Sequence, residues 1–177
     1  MAASEIAAAM QRLESVFRRR PTAALHDDSL ATARWEGGLR VVATHANGTR
    51  IESDLPAELG GSGDRITPGW LQRAGLASCT ATCIAMAAAA EGIELKSLEL
   101  LANSRSDARG ILGMMGADGA QVSAGPHAVQ LIVRISAPGV SLERLRSLVE
   151  RSGRCSPVLR ALEDATPVGL HIEVEPE

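Results

Sequence analysis

Between Arg73 and Glu91 the chain runs through seventeen residues, 74–90, without a single charge. Thr67-Pro68 opens this stretch with a capping hydroxyl and a proline at the first helical position, and Gly92 closes it with the residue favoured just past a helix end. The pattern predicts one helix of about 36 Å at 1.5 Å per residue. A surface helix shows a polar stripe, so a helix without one reads as buried on nearly every side and central to the fold. Its length and its Ala, Ser and Thr content argue against a membrane span. With 177 residues and 45% hydrophobic content, the chain can bury one core around it. Two Trp, one Phe and no Tyr make that core aliphatic.

The flanks supply the other layers. Ile6, Met10, Leu13 and Phe17 recur at helical steps and predict an amphipathic helix over residues 3–19, stopped by Pro21. The tail Arg18-Arg19-Arg20 suits the negative end of that helix. Over residues 29–53, Leu39, Val41 and Ala43 alternate with Arg40 and Thr44, and Asn47-Gly48 marks a two-residue hairpin. Residues 55–64, with Gly60-Gly61-Ser62-Gly63, read as a loop; they lack the Lys-Ser/Thr ending of a phosphate cradle. Leu98, Leu100 and Ala102 mark another strand, as do Val129, Leu131, Val133 and Ile135, with the flexible residues 110–119 between them. Ser141 caps a helix that ends at Gly153, a short helix follows Cys155-Ser156-Pro157, and Val168, Leu170, Ile172 and Val174 alternate as a last strand. Alternation in place of solid apolar runs predicts an α+β fold with antiparallel sheets. The organisation expected is an N-terminal helix over residues 1–21 and a single domain over residues 22–177.

Charge narrows the function classes. Eighteen Lys and Arg against 21 Asp and Glu give a net charge of −3, and 2% aromatic content leaves little to stack on bases, so no nucleic-acid partner is expected. The four histidines, His26, His45, His127 and His171, share no metal-ligand spacing, and no segment calls for a nucleotide, haem or metal. The N-terminus carries no apolar leader pattern, so a cytoplasmic, reducing location is expected, without a membrane partner.

Chemistry then rests on three cysteines. Cys79 and Cys83 lie one turn apart on the central helix, where a disulfide is sterically poor, and Cys83 reads as inert packing. Cys155 follows Gly153-Arg154 at a helix boundary, with Arg151 and Arg160 near in sequence, an environment that activates thiols. Cys79 and Cys155 are 76 residues apart and meet only through the tertiary fold.

Trp35-Glu36-Gly37-Gly38, the segment Leu55-Pro56-Ala57-Glu58-Leu59-Gly60-Gly61, Ala77-Ser78-Cys79, and Arg154-Cys155-Ser156-Pro157-Val158 followed by Leu162 together resemble the OsmC/organic hydroperoxide resistance family. The resemblance spans roughly residues 30–175. It implies an intertwined homodimer in which antiparallel sheets wrap around long central helices. It also implies that Cys79 attacks an organic hydroperoxide and that Cys155 resolves the product as a disulfide, which an external dithiol reduces without further cofactor. In peroxidase members the helix opens Asn-Pro-Glu and that glutamate holds an arginine against the cysteine. Here the segment is Thr67-Pro68-Gly69, which lacks the carboxylate; Arg34, Arg40 and Arg65 lie near the places the arginine comes from, and Arg40 is the candidate carried forward. The alternative expectation is a dimeric small-molecule binding protein of the same fold with vestigial cysteines.

Overall fold

The computed structural model describes residues 2–175. The N-terminal helix α1, Ala3–Arg19, is followed by a short 3-10 turn and by three strands, β1 Ala31–Trp35, β2 Val41–His45 and β3 Arg50–Ser53. The long helix α2 is Pro68–Ala90. Then come β4 Ser97–Arg105, a single turn α3 Ala108–Ile111, β5 Ala128–Ser136, α4 Leu142–Gly153 and α5 Pro157–Glu163. The first three strands form an antiparallel sheet in chain order. β4 and β5 form a second antiparallel pair, with Leu100 opposite Val133 and Asn103 opposite Gln130.

The helix ends are built as their sequences dictate. Thr67 Oγ1 accepts a hydrogen bond from the Trp70 amide at 3.1 Å, Ser141 Oγ accepts from Arg144, and Ser156 Oγ accepts from Leu159 ahead of α5. Gly92, with φ +65°, turns the chain off α2 in the left-handed region that glycine enters without strain.

α2 packs against α1, α4, α5 and β4. Leu76, Thr80, Ile84 and Ala88 recur every four residues along its buried stripe. Ala88 joins Ile93, Leu145 and Leu148 in the core, with Leu95, Ile135 and Val140 against them. Leu98, Leu100 and Ala102 turn inward on β4 while their alternates face solvent. By length and composition alone α2 is long and apolar enough to cross a membrane; in this fold it is the core helix.

Three expectations change. α2 is not covered all round: Gln72, Gly75, Ser78, Thr82, Met86 and Ala90 form an exposed stripe opposite the buried one. A charge-free run records what a helix avoids and not which neighbour covers it. On β2 the buried residue is Val42, with Val41 and Ala43 half-buried and Leu39 exposed, so the inner face is the opposite one. Residues 168–174 form no strand, and Val168 and Val174 are 93% and 86% exposed. Alternation defines two faces, but a strand also needs an edge to pair with, and among the described residues this one has none.

The loop after β3 folds back tightly. A Cβ added at Gly61 meets the Leu55 carbonyl oxygen at 1.9 Å and Asp54 Oδ1 at 2.7 Å. Gly61→Ala is therefore expected to cost about 3 kcal/mol through forced backbone movement. The urea midpoint measures it, and an unchanged midpoint contradicts this close approach.

Candidate active site

The site grows from the meeting of α2 with the turn between α4 and α5. Pro157 fixes the start of α5, and Ser156, as its cap, is pinned inward with 0% exposure. Its hydroxyl donates to Cys79 Sγ at 3.4 Å and lies 3.1 Å from Thr80 Oγ1, which shares the buried stripe of α2. The chain Thr80–Ser156–Cys79 thus fastens the segment carrying Cys155 to the helix carrying Cys79.

Cys83, one turn further along α2, donates to the Cys155 carbonyl oxygen at 3.3 Å. Cys155 is exposed, with its sulfur 3.9 Å from the Arg151 carbonyl oxygen. Cys83 and Cys155 line one open cavity of about 240 Å³ together with Met10 of α1, Met86 and Ala87 of α2, and Leu148, Arg151 and Ser152 of α4. Burial pushes the Cys83 thiol up, and the neighbouring Cys79 and Cys155 sulfurs add to the effect. Because the thiolate is the reactive form, iodoacetamide labelling of Cys83 in a Cys79→Ser/Cys155→Ser variant should stay slow at neutral pH and rise only above the ordinary thiol range. A labelling midpoint within that range contradicts the burial.

Arg40 lies elsewhere. It precedes β2, and its guanidinium binds Asp64 Oδ1 at 2.5 Å, Ser62 Oγ at 2.9 Å and Asp54 Oδ2 at 3.5 Å. The Ser62 hydroxyl between Asp54 and Asp64, with Arg40 beside it, holds both carboxyls below the usual carboxylate range. Arg65 pairs with Glu52 at 2.7 Å and with Asp64 at 3.0 Å. Arg34 makes no ion pair among the described residues and borders an open groove with Val42 and Thr44. No arginine or lysine donates to Cys79 Sγ among the described residues. The structure therefore brings Cys79, Cys83 and Cys155 together and leaves Arg40 on the first sheet, which has no extensive packing against α2.

Ser156, Thr80 and Cys83 are the site residues that sequence reasoning missed. The cap position of Ser156 was readable, but its reach to a sulfur 77 residues back was not.

The fold and this site define an α+β protein with two thiols on its core helix and a third on the turn, before a short helix, that packs against it. A family model, that of the OsmC-like protein, matches residues 61–171, and the chain belongs to that family. The matched stretch contains all three cysteines and excludes Arg40. No curated protein matches the chain. Among solved structures, an OsmC-like protein from Mycoplasma pneumoniae superposes with a TM-score of 0.64 at 17% identity, covering 78% of this chain and 89% of that one. An OsmC-like protein of unknown function from Vibrio cholerae gives 0.63 at 14% identity, covering 78% and 95%. An organic hydroperoxide resistance protein from Elizabethkingia anophelis, with crystallant-derived thiocyanate bound, gives 0.56 at 21% identity, covering 78% and 89%. These likenesses are of fold.

Proposed function

We propose that this chain is a thiol peroxidase that reduces organic hydroperoxides, with Cys79 as the attacking thiol and Cys155 as the resolving one. The observation that carries the reading is the 3.4 Å contact between Cys79 Sγ and Ser156, the residue that follows Cys155. The Cys79 thiolate attacks the terminal hydroperoxide oxygen, the S–O bond forms as the O–O bond breaks, and the alkoxide leaves and takes a proton from solvent, leaving a sulfenic acid. Cys155 sulfur then attacks Cys79 sulfur, an S–S bond forms, and water leaves. An external dithiol takes up the oxidation in a reducing cytoplasm and returns both thiols.

Two copies belong to the same reading. The uncovered charge-free stripe of α2 and the exposed strand-patterned residues 168–174 are surfaces that a second copy would cover. Arg40 enters as the activating cation only through such a copy, because within one chain it lies beside Asp54, Ser62 and Asp64 and makes no contact with Cys79. The test is consumption of cumene hydroperoxide by the reduced protein with dithiothreitol in excess. Sustained turnover supports the reading, and a protein whose thiols survive the hydroperoxide overturns it.

A second reading, a dimeric small-molecule binder with vestigial cysteines, is favoured by one observation: Cys79 receives a serine hydroxyl and no cation among the described residues. The same assay separates the two, since the binder leaves the peroxide unconsumed.

A further inference from the structure

Cys83 is not accounted for by a two-cysteine cycle, yet its surroundings are those of a reactive pair. Its sulfur touches the backbone of Cys155 at 3.3 Å, and both side chains open on one apolar cavity, whereas Cys79 is held on the Ser156 side. Cys79 and Cys83 sit four residues apart on one undistorted helix and cannot bridge each other without bending it. Each is therefore left with Cys155 as its partner. Cys155 sits in the two-residue turn after α4, next to the residue that caps α5, and is exposed. Its carbonyl meets Cys83 and its neighbour Ser156 meets Cys79, two α2 thiols one helical turn apart, about 5.4 Å along the axis. Exchange between them asks for rotation of the Cys155 side chain and movement of this turn.

We propose that Cys83 is a third redox-active thiol of the site and that it forms a disulfide with Cys155. The pairing itself stands on the geometry alone; its place in a cycle rests on the peroxidase reading. There, the Cys83 thiolate attacks Cys155 sulfur of the Cys79–Cys155 disulfide. The Cys83–Cys155 bond forms, the Cys79–Cys155 bond breaks, and Cys79 leaves as a thiolate. The proton lost by Cys83 passes to solvent or to Cys79, and no electrons are gained or lost. The external dithiol then reduces Cys83–Cys155. Burial of Cys83 disfavours its expulsion from that bond as a thiolate, which keeps the oxidation on the cavity side and returns Cys79 to its reduced form.

The test uses the full chain with Cys79→Ser, oxidised by diamide and digested with trypsin without reduction. Diamide oxidises thiols directly and needs no peroxidase activity. The expected result is loss of both remaining thiols and a cross-link between the peptides spanning 74–96 and 155–160. Since the first of these holds both Cys79 and Cys83, the serine variant makes the assignment unambiguous. In the unsubstituted chain given one equivalent of cumene hydroperoxide, fragmentation of the same cross-link is expected to place it on Cys83 and leave Cys79 free. Free thiols in diamide-treated Cys79→Ser, or a cross-link found only between chains, overturn the pairing. A Cys79–Cys155 bond that persists in the hydroperoxide-treated chain overturns the exchange. A Cys83–Cys155 bond with diamide but no peroxide consumption sinks the peroxidase reading and leaves the pairing standing.

Discussion

Serine at position 79 is expected to lower hydroperoxide consumption by on the order of 10³-fold or more, as loss of a covalent nucleophile does, while helix content and the urea midpoint stay near those of the parent. The substitution is nearly isosteric at a half-buried position whose neighbour Ser156 can hydrogen-bond a hydroxyl as well as a thiol. The fold therefore has no reason to move, and the loss reads on chemistry. Cys155→Ser provides the contrast. Its first turnover should proceed, because the attacking sulfur is intact, and then stop. With no resolving thiol on the turn, the sulfenic acid on Cys79 meets further peroxide and climbs to the sulfinic acid, which mass spectrometry reads as added oxygen. Unchanged turnover in Cys79→Ser removes the basis of the proposed mechanism.

Leu148→Ala is expected to be the most destabilising single truncation, at about 3–5 kcal/mol. Leu148 is 0% exposed and packs with Ala88, Ile93 and Leu145, where α4 meets the C-terminal half of α2. It also forms part of the wall of the 240 Å³ cavity beside Cys83. Truncation removes those contacts from a fully buried position, which places the cost in this range. Against a domain stability of roughly 5–15 kcal/mol, that is a large share. Leu142→Ala on the same helix, at a position 82% exposed, should stay within about 0.5 kcal/mol. Urea midpoints at constant slope compare the two; a Leu148→Ala shift no larger than that of Leu142→Ala contradicts the packing described.

What the sequence disclosed followed from short-range rules. The caps at Thr67, Ser141 and Ser156, the stop at Gly92 and the alternation on β4 and β5 are local, and each is realised where it was read. The meeting of Cys155 with the central helix could be anticipated only through resemblance, because it depends on how α4 and α5 dock. For Cys83 the spacing from Cys79 gives a shared helix and no partner; its hydrogen bond to a backbone carbonyl 72 residues away is a matter of docking. That Arg40 lies beside Asp54 and Asp64 is not legible in the sequence, because the back-folding of the glycine-rich loop between those two carboxylates follows no periodicity. The uncovered side of α2 and the unpaired residues 168–174 share one cause: a pattern reports that a surface is apolar and says nothing of what lies against it.

Ser156 has a further consequence. One hydroxyl both caps a seven-residue helix and donates to the Cys79 sulfur. A helix that short is marginal on its own and frays readily. Each time its first turn opens on warming, the sulfur loses its donor at the same instant. The turn that carries Cys155 is tied to that cap, so disulfide formation by Cys155 should fade at a lower temperature than the one at which the molecule as a whole melts.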